Sequence, residues 1–287
     1  AQRLASFQQE YCITAYTNYR EMIAKENIDL ISIVTPTEHH FPIAIDVIEA
    51  GIPVLIEKPI ALHPEQGRTL IKLAQDRQVL LMVGHIERFN PVIEKLKHLL
   101  DENILGEVYH MAIKRMGMFP NRIENTGVVL DMATHDVDII TYLTRSNISR
   151  MHAEINRHVH SKHEDFLVAT LRLENDMICT LEVNWLSPVK IREITILGAR
   201  GKIMADTIAQ TVTFYQRDVR TCCHTLIDKG ISDMNKIEYP VPSIEPLSKE
   251  LAAFAMAVQN NGTSPVSGED GVAALATAMK LLDAARH

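Results

Sequence analysis

Apolar and polar positions follow two different rhythms along the chain, one before Gly84 and one after it. Residues 28–34 form a short apolar run rich in β-branched side chains (Ile28, Ile31, Ile33, Val34), as a strand covered on both faces requires. Thr35-Pro36-Thr37 ends that run. Residues 40–50 then show helical spacing through Ile43, Ile45, Val47 and Ile48, with Gly51 placed as a helix C-terminal residue. The pattern predicts a second strand over 53–56, an amphipathic helix over 64–77 and a third strand over 79–84. Strand, helix, strand, helix, strand in such short order implies a parallel sheet joined by right-handed crossovers.

Beyond Gly84 the rhythm changes. A helix predicted over 91–100 leads into alternating segments at 108–114, 166–173, 177–185, 192–197 and 211–215. Turn residues separate several of them (Glu174-Asn175-Asp176; Gly198-Ala199-Arg200-Gly201), which points to antiparallel hairpins. Two helices, over 247–260 and 271–285, close the chain around the loop Asn261-Gly262-Thr263-Ser264-Pro265. There is no internal repeat and no low-complexity segment. The expected fold class is α/β, with an N-terminal Rossmann-type parallel sheet over residues 1–87. A C-terminal α+β domain with a mostly antiparallel open sheet follows over 88–287.

Composition narrows the function classes. The 287 residues are 46% hydrophobic and 23% charged, enough to bury the cores of two domains. A net charge of −7 leaves no basic surplus to replace phosphate counterions, so a general nucleic-acid binder is excluded. Aromatic content of 5% also argues against stacking platforms for single strands. No apolar run approaches the ~18–20 residues that span a bilayer. The opening Ala1-Gln2-Arg3-Leu4-Ala5 does not read as a signal peptide. Of the four cysteines (Cys12, Cys179, Cys222, Cys223), the adjacent pair suits neither a disulfide nor paired zinc ligands, and Cys179 reads as core. The expectation is a cytoplasmic protein with reduced thiols.

A dinucleotide-binding fold normally carries G-x-G-x-x-G at its first strand-to-helix turn. This chain has no glycine before Gly51. Either the fold binds no dinucleotide, or the sequence starts downstream of the first strand, its loop and its helix. The second reading is preferred, because residues 1–10 resemble the helix that follows a second strand. It implies about one further βαβ unit upstream, ~30 residues or more.

Open parallel sheets place ligands at the carboxyl ends of their strands. Two such ends are chemically loaded, Thr35-Pro36-Thr37-Glu38-His39-His40 and Glu57-Lys58-Pro59. A lysine directly after a buried strand can move a proton to or from an alcohol during hydride transfer. The structural alternative is a lysine that caps the strand end through a salt bridge to Glu57. A second constellation is Asp131-Met132-Ala133-Thr134-His135-Asp136-Val137-Asp138, in which a helix would put Asp131 and His135 on one face. Carboxylate and imidazole so placed can share a proton and hold a sugar hydroxyl. The alternative is a helix cap with an ordinary i,i+4 pair. His158, His160, His163, Glu164 and Asp165 match no zinc pattern and read as a solvated hairpin, so no metal site is expected. Trp185 reads as a half-buried anchor or a sugar-facing ring. Tyr11, Tyr16 and Tyr19 read as packing or surface residues.

The order strand–T-P-x-x-x-H, E-K-P, G-H-x-x-R-F-N-P, D-x-x-x-H-D-x-D resembles the glucose–fructose oxidoreductase/inositol dehydrogenase (Gfo/Idh/MocA) family. The resemblance runs through the whole chain, including Ser267-Gly268-Glu269-Asp270-Gly271 before the last helix. Within it, residues 84–91 and 126–131 resemble UDP-N-acetylglucosamine 3-dehydrogenases. The resemblance implies an NAD- or NADP-dependent oxidoreductase acting on a secondary alcohol of a sugar, sugar nucleotide or polyol. Lys58 would be the catalytic acid/base, Asp131 would bind substrate, and His135 would contact or deprotonate the reacting hydroxyl. Thr35, Pro36, Thr37, His40, Glu57 and Lys58 would line the cofactor, with Arg88 and Asn90 on the nicotinamide or substrate side. Thr37 stands where the family often has asparagine. The same resemblance implies a homodimer or homotetramer formed through the open face of the second sheet. The rival readings are a catalytically silent sugar- or nucleotide-binding protein on the same scaffold, and a reductase of a non-sugar carbonyl.

Overall fold

The computed structural model describes residues 8, 10–120, 125–217 and 235–285. The adjacent Cys222 and Cys223 and most of the helix expected over 1–10 lie outside the described residues. The chain runs through α1 (Tyr19–Lys25), β1 (Ile31–Ile33), a 3-10 turn (Thr37–His39), α2 (His40–Glu49), β2 (Val54–Glu57), α3 (Pro64–Arg77) and β3 (Leu81–Gly84). A second 3-10 turn (Ile86–Phe89) leads to α4 (Pro91–Asp101), β4 (Val108–Met118), a π turn (Val129–Ala133) and α5 (Thr134–Thr144). Then come β5 (Ile148–Asn156), β6 (Phe166–Leu173), β7 (Ile178–Asn184), β8 (Leu186–Gly198), β9 (Gly201–Asp206), β10 (Thr211–Gln216) and β11 (Asn235–Tyr239). Helices α6 (Pro246–Gln259) and α7 (Gly268–Ala284) follow.

The strands form two sheets. β1-β2-β3 is parallel, with Ile33 beside Ile56 and Glu57 beside Gly84. Val54, Leu55, Ile56, Met82 and Val83 are almost wholly buried, as expected of strands covered on both faces. The other sheet has the order β11-β10-β9-β8-β4-β7-β6-β5. Its pairs are antiparallel except β4 with β7. The 174–176 and 199–200 turns do close hairpins, β6–β7 and β8–β9. Alternation places Met111, Ile113, Leu167, Ala169, Cys179, Leu181, Ile194 and Ile196 on one face, against apolar residues of α4, α5 and α7. Among the described residues the opposite face carries exposed side chains such as Val168, Ile178 and Met204.

Local chemistry sets the element ends. Pro64 opens α3, with a reciprocal cap between His63 and Gln66. Asn90 caps α4 by accepting from Val92 N–H at 3.1 Å. Ser267 and Asp270 form the same kind of box at the start of α7. One expectation changes in packing. A division at 87/88 falls within the 3-10 turn Ile86–Phe89, yet α6 packs with the parallel-sheet core and α7 with both cores. Phe254, Val266, Val272 and Leu275 belong to the core of the parallel sheet, and Val83 N–H donates to Val266 at 3.2 Å. The last helix thus packs on both cores, which fixes one sheet relative to the other across the cleft between them.

Candidate active site

Lys58 follows the last residue of β2, with a cis peptide to Pro59. Its ammonium is not paired with Glu57. It crosses the cleft and donates to Asp131, at 2.6 Å to the main-chain oxygen and 3.0 Å to Oδ1. Glu57 instead accepts the Lys58 backbone N–H at 3.1 Å. The local ion pair weighed from the sequence is therefore replaced by a contact spanning 73 residues and linking the end of β2 to the π turn. Burial pushes the Glu57 carboxyl up, against the pull of the Lys58 N–H and charge. Its chain lies over Gly84, where a Cβ would come within 3.2 Å of the Glu57 Cα and Cδ. Only glycine leaves the strand end undisturbed there.

Asp131 sits in a π turn rather than the α-helix expected for it, and His135 lies in the first turn of α5. Widened turns of this kind are frequent at functional sites. Glu164 anchors the segment: its main-chain oxygen accepts from Val128 N–H at 2.9 Å, its carboxylate from Val129 N–H at 3.1 Å. Gly127 makes room for that carboxylate, since any Cβ would overlap it. The Nδ1 atom of His135 is buried with no hydrogen-bond partner. Burial first, and then the positive charges of Lys58 and Arg115, hold the imidazole well below its usual range, so it is neutral at pH 7.

The other sequence-predicted residues divide into two groups. Thr35 and Pro36 are exposed beyond β1, and Thr37 starts the 3-10 turn, half-buried. Val34, 70% exposed at the same strand end, adds an apolar surface beside them. His40 is buried, and its ring nitrogens lie 2.8 Å from the Thr35 oxygen and 2.9 Å from the Pro59 oxygen. It braces the two strand-end loops. Arg88 is 9% exposed and held by Asp138 (2.6 Å) and Asp270 (3.1 Å), with Tyr142 against its guanidinium. Asn90 is committed to capping α4 and to Gln210 at 3.2 Å. The structure places Arg88 and Asn90 in the frame behind the cleft, bonded to protein groups.

Sequence reasoning missed much of that frame. Arg115 on β4 is buried between Glu87 and Asp136, 2.7 Å from each. Burial drives the Asp136 carboxyl up to about 6 against the opposing Arg115 charge, whereas Arg115 outweighs burial at Glu87 and lowers it. The signal was present: Arg115 continues the inward-facing series Met111, Ile113, and a charge at a core position demands buried partners. His160 is not solvated as expected but buried in the loop 157–165, against Phe119 and Trp185. Asp165 organises that loop by accepting from the backbone N–H of His158, Val159 and His160. Trp185 is 3% exposed, and Cys179 is core, its thiol pushed up to about 12 by burial. Among the described residues no group of His, Cys, Asp or Glu is arranged to hold a metal ion.

The strand-end donor set suits one half of a nicotinamide dinucleotide. Exposed Thr35, the apolar Val34 surface, the Glu57 carboxyl and the Lys58 ammonium stand at the carboxyl ends of β1 and β2, and are groups of the kind a ribose and a nicotinamide ring require. The glycine-rich turn for a pyrophosphate has no counterpart among the described residues.

Comparison with known proteins agrees with this arrangement. A family model described as "Oxidoreductase family, NAD-binding Rossmann fold" matches residues 1–85, and the "GFO/IDH/MocA C-terminal domain" matches 93–204. The UDP-N-acetylglucosamine 3-dehydrogenase of Acidithiobacillus ferrooxidans is 27% identical over 281 residues, covering 98% of this chain and 86% of that protein. The scyllo-inositol 2-dehydrogenase (NAD(+)) of Bacillus subtilis is 28% identical, covering 87% of this chain and 73% of that protein. A solved structure of the Acidithiobacillus ferrooxidans UDP-N-acetylglucosamine 3-dehydrogenase superposes with a TM-score of 0.88 at 26% identity, over 99% of this chain and 87% of that one.

Proposed function

Since the chain belongs to the GFO/IDH/MocA oxidoreductase family and is an NAD(P)-dependent oxidoreductase acting on CH–OH groups, we propose that Lys58, Asp131 and His135 are its proton-handling centre. The substrate we propose is a secondary alcohol of a sugar, a sugar nucleotide or a polyol. The observation that carries this reading is the Lys58–Asp131 contact across the cleft, with a neutral, unpartnered His135 nitrogen beside it. When bound, the nicotinamide supplies the hydride acceptor or donor.

In the oxidative direction Lys58, in its unprotonated form, takes the hydroxyl proton as the C–H bond breaks. In the reductive direction its ammonium returns that proton to the carbonyl oxygen. Asp131 fixes the Lys58 amine through two acceptors and has a part-exposed carboxylate for a neighbouring hydroxyl. His135, neutral, accepts a hydrogen bond from the reacting hydroxyl or gives one to the carbonyl. Thr35, Pro36, Thr37 and Glu57 line the cofactor side, with His40 holding their loops in place.

Among the described residues no helix is long and apolar enough to cross a membrane. We propose a cytoplasmic enzyme, a reading that the free thiols at Cys12 and Cys179 support. The open face of the large sheet presents Val168, Ile178 and Met204, each more than a third exposed. Such a face supports a homodimer or homotetramer built through it.

The test is nicotinamide fluorescence on titrating NADH or NADPH with the protein, followed by absorbance assays over a panel of polyols, sugars and nucleotide sugars. Cofactor binding with turnover of at least one panel member is the expected result. Binding of a sugar or nucleotide sugar without any turnover would favour the catalytically silent alternative.

A further inference from the structure

Two helices of this chain take their N-terminal caps from their own sequence: Asn90 caps α4 and Ser267 caps α7. The segment that carries Asp131 and His135 does not. No side chain at its own start caps it. Its first N–H groups, which have no partner within the helical segment, are taken by Glu164 instead, 35 residues beyond Val129. The Glu164 main-chain oxygen accepts from Val128 N–H at 2.9 Å and its Oε1 from Val129 N–H at 3.1 Å. From there hydrogen bonds run without a gap to Lys58. Asp131 N–H donates to the Gly127 oxygen at 3.1 Å, and the Val129 oxygen accepts from Thr134 N–H across the widened turn. In the middle of that turn Asp131 presents its main-chain oxygen and Oδ1 to the Lys58 ammonium, at 2.6 and 3.0 Å. Behind Glu164, the buried Asp165 gathers the N–H groups of His158, Val159 and His160. Its own N–H donates to the Asn156 oxygen at 3.0 Å and its main-chain oxygen accepts from Trp185 N–H at 2.9 Å, which ties Glu164 to the ends of β5 and β7.

Resting on the reading of Lys58 and Asp131 given above, we propose that Glu164 is a positioning residue for the proton transfer. By capping the π turn from outside, it sets the place at which Asp131 holds the Lys58 amine. Gly127 is the other half of the arrangement. A Cβ there would overlap the Glu164 carboxyl group, which ends a flexible side chain and would swing away. The carboxylate therefore keeps its place only while residue 127 has no side chain. With the cap lost, Val129 N–H has no acceptor, and the turn relaxes toward the narrower α-helix, which rotates Asp131 relative to Lys58. Glu164 touches no reacting atom in this scheme. It acts through Val129 and Asp131 on the position of one amine.

The experiment compares Glu164→Ala, Glu164→Gln, Gly127→Ala and the Gly127→Ala/Glu164→Ala double variant with wild type and Lys58→Ala. It reads kcat and KM and, without cofactor or substrate, the rate at which a trace of acetic anhydride labels Lys58, followed by peptide mass spectrometry. Glu164→Ala should lose kcat by about 10²-fold, the scale of an ångström's misplacement, with KM for the alcohol and NADH or NADPH binding little changed. Its Lys58 should be labelled faster than in wild type. Glu164→Gln, whose amide oxygen still accepts from Val129 N–H, should stay near wild type in both readouts. Gly127→Ala should resemble Glu164→Ala, and the double variant should lose no more than either single one, since both remove the same bond. Wild-type kcat or wild-type Lys58 labelling in a folded Glu164→Ala would overturn the proposal. A glutamine variant as impaired as the alanine one, or losses that multiply in the double variant, would overturn it as well. If Glu164→Ala fails to fold, Glu164→Gln and Gly127→Ala decide by the same criteria, and the labelling rates decide even without a substrate that is turned over. Wild-type turnover in Lys58→Ala would overturn the Lys58 reading and the proposal with it. Turnover lost in Lys58→Ala but kept in Glu164→Ala counts against the proposal alone.

Discussion

Glu250→Gln should stabilise the protein at neutral pH while leaving it unchanged in acid. Glu250 lies on α6 with no exposed surface, and neither carboxyl oxygen has a hydrogen-bond partner. Burial, then the negative charge of Glu57, pushes the carboxyl up to about 8. In the unfolded chain it titrates near 4.3. The folded state therefore binds the extra proton between those values, and the stability present below the unfolded value is lost as pH rises toward the folded one. At about 1.4 kcal/mol per unit, the roughly 2.5 units up to pH 7 amount to about 3.5 kcal/mol. A neutral glutamine of similar shape escapes that loss. Urea unfolding of wild type and variant at about pH 4 and pH 7 measures it, provided the slope with denaturant is unchanged. Equal stability changes for both proteins across that range would refute the reasoning, since Glu250 would then ionise alike folded and unfolded.

Gly84→Ala should cost about 1–3 kcal/mol by overpacking, because its Cβ would sit 3.2 Å from the Glu57 main chain and carboxyl carbon. Turnover should fall with it as Lys58 is displaced; an unchanged melt and unchanged kcat would contradict this. Arg88→Ala leaves Asp138 buried without its partner and should lose about 3–5 kcal/mol in denaturant titrations, against little change if the pair were solvated. On the acid side, His85 and His135 are held below their unfolded value near 6.5, so the unfolded chain binds more protons there. Their contribution should be full above that value and fall as pH drops through it, while Glu250 and Asp136, both raised, contribute in the opposite sense over the same range. The difference between wild type and His85→Gln isolates one ring, and an identical acid limb in both proteins between about pH 6.5 and 5 would contradict its burial as a neutral group.

The three parallel strands were legible because their apolar runs are continuous and bounded by proline or glycine, as at Thr35-Pro36 and Gly51. The helix over 64–77 was legible to the residue, since Pro64 and the charged outer face mark it twice. β5 and β9 were not: Arg150, His152 and Glu154 on β5 interrupt the apolar count, and the sheet supplies what the local pattern lacks. Strand-end position and i,i+4 spacing singled out Lys58, Asp131 and His135, and the family resemblance attached roles to them; the Lys58–Asp131 contact was not legible, because it joins residues 73 apart. The π turn at 129–133 was invisible, since an i,i+4 pattern fits a π turn followed by α-helix as well as a continuous helix. The family resemblance set Arg88 on the cofactor or substrate side, and nothing in the local sequence marks it as buried. Its role as a brace depends on Asp138 and Asp270, which only the fold brings near.

The central claim is that Lys58 moves the proton of the CH–OH reaction, and Lys58→Ala tests it most directly. With cofactor binding followed by nicotinamide fluorescence and turnover followed on the same preparation, binding should persist while kcat falls by about 10²–10⁴-fold. Wild-type turnover in Lys58→Ala would contradict the account and leave the Lys58–Asp131 contact as a structural link between β2 and the π turn.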